Sequence, residues 1–270
     1  ALAVKFTAGE RTRLGHATTS SLEAYDYYLR ADTAYQSITK ETPIVARQMY
    51  EQAIALDPHF AAAYAAMSTT YLMEWDQQWS EDPATLDRAE VLAQKAIQLD
   101  DTLSQAHSVL GGVYAFKRQH DLAIAENQAA IRLDPNNAAA YAWLAFALNF
   151  AGRSEETPAL IDTAMRLNPH YPAQYIFILG QAQYVMGQTQ EALATFRRVL
   201  NRNPKHLSAH SYLAILLSEL GQLEDSQAEV EAILRISPDY SLEVARQRAL
   251  YKDAGALERY IDGLRKAGLR

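Results

Sequence analysis

The chain has 270 residues, a formal net charge of −7 and no cysteine. That length allows a sizeable core, and the acidic balance argues against a nucleic-acid or anionic-membrane surface. The lack of cysteine excludes disulfides and thiolate sites and fits the cytoplasm. No apolar run approaches a membrane span, so membrane insertion is not expected.

Ala1–Phe6 reads as the tail of a helix whose start is missing, which predicts a fragment of something longer. Thr7 to Glu10 (TAGE) forms a capping box, so a short helix is expected to about His16, followed by a polar linker over Ala17–Ser20. Ser20 to Glu23 (SSLE) is a second capping box opening the first long helix, which carries Tyr25, Tyr28, Leu29 and Tyr35. Thr42 and Pro43 read as a cap and a first-turn proline for its partner. The next two helices are separated by Glu74–Pro83, EWDQQWSEDP, with Trp75 and Trp79 in or beside the loop. Ala138–Ala151 is an Ala-rich apolar run without β-branched residues, and favours helix. Gly152 would end it in a left-handed conformation, and Ser154 would cap the next helix with Glu155 and Glu156 in its first turn. Pro169 stops that second helix. After Pro238 the pattern changes to a helix pair, Ser241–Lys252 and Ala256–Ala267, with Leu257, Ile261 and Leu264 as an apolar stripe.

The same unit recurs. Pro135, Pro169, Pro204 and Pro238 follow one another at steps of 34, 35 and 34 residues. The longer gap from Pro58 to Pro135 is divided by Asp101 into 43 and 34, the Trp75–Trp79 loop accounting for the longer step. Small residues recur in the first helix at Ser68, Gly111, Ala145, Gly180 and Ala214, and in the second at Ala46, Ala89, Ala123, Thr157, Ala192 and Ser226. A second column seven residues on reads Ala53, Ala96, Ala130, Ala164, Val199 and Ile233. Two helices crossing at short axial distance need small side chains at the crossing, and larger ones such as Tyr50 and Phe196 fill the space between. The fold class expected is all-α, a right-handed α-solenoid of about six helix–turn–helix repeats with a C-terminal capping pair. Residues 1–19 are read as the end of a preceding domain and 20–240 as the array. Repeats fall at about 20–60, 61–103, 104–137, 138–172, 173–206 and 207–240, and 241–270 form the cap.

No catalytic motif is present: no GxxxxGK[ST], GxGxxG, GxSxG, HExxH or EF-hand loop. His206 and His210 stand four apart and could share a metal. His210 lies, however, in the column that also holds Tyr64, His107, Tyr141 and Ile176, an ordinary packing position with no third ligand near. Neither a catalytic residue, a metal nor a cofactor is expected.

The columns resemble tetratricopeptide repeats over about Ser20 to Tyr240. LEAYDYYLRA (Leu22–Ala31), YEQAIALDPHFAAAYA (Tyr50–Ala65) and YIDGLRKAGL (Tyr260–Leu269) further resemble the C-terminal repeat region of bacterial multidomain proteins. Those carry a class III adenylate/guanylate cyclase or another signalling or DNA-binding module at the N-terminus. The opening ALAVKFTAGERTRL is similar to the junction from their middle segment into the repeats. The resemblance implies a cytoplasmic, non-catalytic docking or regulatory arm for a protein or peptide partner, with any enzyme activity elsewhere in the parent protein.

The resemblance also implies that the first helix of each repeat lines a concave groove. Its inward positions are Gln105, Ser108 and Phe116 in the third repeat, and Phe146, Asn149 and Phe150 in the fourth. Phe177, Gln181 and Tyr184 continue them in the fifth. The groove is aromatic, with amides and hydroxyls but no Lys or Arg, which suits an apolar or amphipathic peptide rather than a carboxylate clamp. The same aromatics could instead pack between repeats. Charge reversal at Phe116 and Phe150 is expected to abolish partner capture with helicity intact. Trp75 and Trp79 are either a lid lying back on the neighbouring helices or a second partner anchor. The alternative to a partner-binding arm is a self-association scaffold, with the array edges or the Trp75–Trp79 loop forming a homodimer.

Overall fold

The computed structural model describes residues 19–35, 39–80 and 82–270. The predicted capping box at Thr7, the short helix after it and the first half of the linker lie outside the described residues, as do 36–38 of the first interhelical turn and Glu81. Among the described residues there are fourteen α-helices, one 3-10 turn and no strand. In chain order the helices are α1 (Leu22–Tyr35), α2 (Thr42–Leu56), α3 (Ala61–Asp76), α4 (Ala84–Leu99), α5 (Ser104–Phe116), α6 (His120–Leu133) and α7 (Ala138–Ala151). They continue with α8 (Thr157–Leu167), α9 (Ala173–Val185), α10 (Thr189–Arg202), α11 (Leu207–Glu219), α12 (Leu223–Ile236), α13 (Leu242–Arg248) and α14 (Ala254–Lys266).

The chain divides into two compact units, one of residues up to 113 with 126–135, the other of 114–125 with 136–270. In the first, α1 packs on α2 and α3 on α4. In the second, the pairs α7–α8, α9–α10 and α11–α12 stack on one another, and α14 lies on α11.

The small-residue columns are the crossings. Ala46, Ala89, Ala123, Thr157, Ala192 and Ser226 are all buried, and so is the whole column from Ala53 to Ile233. At Gly180 the approach is so close that a Cβ would stand 2.8 Å from the Phe196 ring, so only glycine fits without moving a fully buried side chain. Gly152 adopts the left-handed conformation (φ 83°) and sends its N–H to the Leu148 carbonyl, which stops α7 as its position predicts.

Three predicted caps move. Ser21 rather than Ser20 accepts the Ala24 N–H (3.2 Å), one residue on from the predicted box. Thr42 is already helical, and its hydroxyl bonds the Thr39 carbonyl (2.9 Å). Ser154 sits in the 3-10 turn, buried, with its hydroxyl pointed at the Asn149 carbonyl (3.5 Å), so α8 starts only at Thr157. The loop after α3 is also shorter than expected. The helix continues through Trp75 to Asp76 before Gln78 turns it at φ 57°.

The predicted helix over Ser241–Lys252 is cut to seven residues. Ser241 caps α13 by accepting the Val244 N–H (3.3 Å), but Ala249 is extended (φ −63°, ψ 138°). Residues 249–252 then run as a non-helical strap until Asp253 caps α14 by accepting the Ala256 N–H (2.6 Å).

Candidate functional site

In the first unit, Gln105 is half-buried and Ser108 is buried. Trp75 and Trp79 are both half-buried, Trp75 on the last turn of α3 and Trp79 in the loop. Beside them Arg47 bonds Glu74 (2.7 Å) and covers the Tyr71 ring at 4.3 Å. Asp76 at the end of α3 is pushed up to about 6 by burial, which outweighs its hydrogen bond from Gln77.

The other groove candidates lie in the second unit, and most are inside it. Phe146, Phe150, Phe177, Asn149 and Gln181 are each less than a tenth exposed, while Phe116 and Tyr184 are half-buried. The aromatic residues form two groups. Phe116 meets Phe146 (5.3 Å between ring centres), Phe146 meets Phe150 (5.0 Å), and Phe177 meets Tyr212 (5.9 Å). The two polar residues are spent on structure. The Asn149 amide donates to the Ile178 carbonyl (2.9 Å) and its oxygen accepts the Thr157 hydroxyl (2.6 Å), tying α7 to α8 and α9. The Gln181 amide reaches the Tyr212 hydroxyl (3.3 Å).

Sequence reasoning missed the segment that meets both groups. The strap brings Tyr251 onto Phe150 (5.2 Å) and Tyr260 (5.8 Å), with its hydroxyl 2.9 Å from that of Tyr212. Burial pushes the Tyr212 phenol up to about 12 and the Tyr251 phenol well above the ordinary value, so both stay protonated and bond as neutral groups. The next residue, Lys252, donates its backbone N–H to the Phe150 carbonyl (2.9 Å) and pairs its ammonium with Asp121 (3.0 Å). The groove residue Phe150 is therefore not open to a partner while the strap is in place, and Phe146 is buried among Phe116, Trp143 and Phe150. Charge reversal at Phe150 would consequently bury a carboxylate rather than probe a surface. No periodic signal marks ALYK (Ala249–Lys252), and its contacts span about a hundred residues of chain.

Each ring nitrogen of the histidine pair faces a partner within the fold. His206 Nδ1 accepts the Ala209 N–H (3.2 Å) as the cap of α11, and Nε2 faces the Gln174 side-chain oxygen (3.4 Å). His210 spends Nδ1 on Glu229 and Nε2 on the Pro204 carbonyl (3.0 Å). His107 makes the same two bonds in the first unit, to Glu126 (2.7 Å) and to the Asp101 carbonyl (3.0 Å). With an acceptor at each nitrogen these two rings fit the protonated form. For His107 the Glu126 hydrogen bond raises the pKa. For His210 burial pulls downward, but the Glu229 and Pro204 acceptors outweigh it. The repeated spacing His-to-Glu of 19 residues is the signal that could have revealed both pairs. Among the described residues no three His, Asp or Glu converge as a metal-ligand set, and no helix is long and apolar enough to cross a membrane.

These histidines give stability opposite pH dependences. His107 and His210, raised in the folded state, contribute fully below the ordinary pKa, and that contribution is lost as pH rises through the folded value. His206 is pushed down to about 4 by burial, so the unfolded chain binds its proton first. Stability therefore falls as pH drops from about 6.5 toward 4, by about 1–3 kcal/mol from this group. His206→Asn keeps a capping side chain but cannot titrate. Urea denaturation at pH 7 and pH 4.5 is expected to show a smaller acid loss in the variant; an identical loss would remove His206 as its source.

The sequence profiles of the tetratricopeptide repeat match residues 127–157 and 186–251, so the chain carries repeats of this kind. Among solved structures it is similar to TTC0263, a thermophilic TPR protein of Thermus thermophilus, with a TM-score of 0.56 and 16% identity over 72% of this chain and 98% of that one. It is also similar to Pseudomonas aeruginosa pilF, with a TM-score of 0.55 and 19% identity over 77% and 86% of the two chains. At these identities the likeness concerns the fold: an all-α solenoid of tetratricopeptide repeats, an architecture used for protein–protein contact. A relative described as "Putative adenylate cyclase 3", of Rhizobium meliloti (strain 1021), is 35% identical over 124 residues. The match takes in 46% of this chain and 21% of that protein, so the chain spans about a fifth of the relative's length.

Proposed function

We propose that the chain is a non-catalytic interaction arm of a bacterial, cytoplasmic signalling protein of the adenylate cyclase type. Its ligand is a peptide or helix of a partner protein, held along the first-helix face of the fourth to sixth repeats. The observation that carries this reading is the way that face treats the strap. It receives an aromatic side chain on Phe150 and Tyr212, with Tyr260 of the capping helix α14 closing the seat, and a backbone N–H on a helix-terminal carbonyl. Pockets for side chains combined with bonds to the backbone are the usual means of holding an extended peptide. The cyclase context is supported by the Rhizobium relative, through which the arm would act on a domain outside this chain.

The signalling part is tested by the size of the native gene product, probed in lysate of the source organism with an antibody against this chain. A band far above 30.1 kDa, with cyclase activity that changes when the arm is deleted, is the expected result. A band near 30.1 kDa would make the chain a stand-alone adaptor and overturn the cyclase context.

A further inference from the structure

We propose that residues 249–252 are an intramolecular stand-in for the partner. The strap occupies the subsite that takes an aromatic residue followed by a basic one in a partner's extended segment, and the partner binds by displacing it. This rests on the groove reading above and adds what the groove selects and how it is masked.

The first argument is that capping does not require the strap. A solenoid end needs cover only over its last repeat. Here α14 supplies it: Ile261 and Leu264 are buried, and Gly263 lies so close to α11 that a Cβ would meet Ile215 Cγ2 at 2.7 Å. The strap instead ends on Phe150 of the fourth repeat and Asp121 of the third.

Second, the attachments of the strap are of kinds that a peptide can replace. The Lys252 N–H goes to a carbonyl in the last turn of α7, where helical carbonyls lack an intrahelical donor and accept any backbone N–H. The Lys252–Asp121 pair is exposed, with 53% and 85% of the two side chains open to water, and such pairs hold weakly. The Arg118 guanidinium adds one bond to the Gln247 carbonyl. Tyr251 is the aromatic anchor and Leu250 beside it is also buried, its backbone bonded to the His120 ring; in the Tyr251 seat, Tyr212 is held independently, stacked on Phe196 and bonded by Gln181.

The third argument is incomplete filling. A cavity of about 300 Å³ remains beside Tyr251, bordered by Tyr184, Glu219, Arg259 and Lys266. A segment longer than the strap has room there that the strap leaves empty. The chemistry selected follows from the contacts kept: a ring for the Phe150–Tyr212–Tyr260 seat, then a cation for Asp121.

The test is a selection of phage-displayed random peptides on the full chain, with affinities of the selected peptides measured on variants. The expected peptides carry an aromatic residue followed by Lys or Arg. They bind Tyr251→Ala about tenfold more tightly than wild type, because a site closed most of the time weakens apparent affinity by its open fraction. Lys252→Glu, confined to the exposed side of the strap, gives a smaller gain in the same direction and serves if Tyr251→Ala does not fold. Peptides that lose binding with Phe116→Glu but gain nothing in either strap variant would overturn the inference and leave the groove reading standing. Peptides indifferent to all three variants, or none selected, would overturn both. A stable dimer of Tyr251→Ala with unchanged peptide affinity would also overturn it.

Discussion

Phe196→Ala is expected to destabilise the second unit by about 3–5 kcal/mol, the largest stability effect of any single substitution considered. The ring is fully buried between α9 and α10. It stacks almost parallel on Tyr212 (4.9 Å, 6°) and tilts against Phe177 at 5.8 Å. Its edge fills the space that Gly180 leaves, so no neighbouring side chain on that side can move in to close the cavity. Cost rises with the cavity that remains, which places this site toward the upper end of the range. The effect extends to the groove, because Tyr212 carries the hydroxyl that Tyr251 meets. Urea denaturation followed by circular dichroism should give a midpoint well below that of wild type. A loss under about 1 kcal/mol would mean that the α9–α10 crossing collapses freely and that the glycine–phenylalanine fit is not what sets its spacing.

Phe150→Glu is expected to be nearly as damaging, and Phe116→Glu much less so. Phe150 is 7% exposed, with Phe146 on one side and Tyr251 on the other. Removing the ring costs about 3–5 kcal/mol, and a carboxylate in its place must shed water or take up a proton. The strap should detach, since its aromatic seat and the turn bearing its carbonyl acceptor are both disturbed. Phe116 is half-buried, and a charge there can reach solvent, so the expected cost is about 1 kcal/mol with helicity retained. Thermal melts of the two variants separate these outcomes. Equal stability of Phe150→Glu and wild type would show that the strap does not press on that ring.

The crossings were legible in the sequence because their physics repeats. Every turn of the array brings two backbones to the same short distance, so Ala46, Ala89, Ala123, Ala192 and their column had to stay small, and all are buried. Phe196 was legible as a filler between helices for the same reason, though its fit against Gly180 was not. The groove was legible only in composition. Whether the helix faces bearing Phe146, Phe150 and Phe177 are open or covered depends on contacts between distant parts of the chain. Tyr251 meets Phe150 through a four-residue strap that belongs to no repeat, and no periodicity could announce it. Asn149 and Gln181 look like binding groups in sequence, yet Asn149 bonds through both its amide atoms within the fold and Gln181 through its nitrogen, because a buried amide without a partner is costly; the Gln181 oxygen is left buried without one.

Hydrogen exchange of the full chain, alone and saturated with a selected peptide, tests the central claim most directly. The Lys252 amide, bonded to the Phe150 carbonyl, should be protected in the free chain. On binding it should exchange freely while the amides of α14 remain protected. A strap that stays protected with peptide bound would contradict the account, as would a peptide that releases α14 together with it.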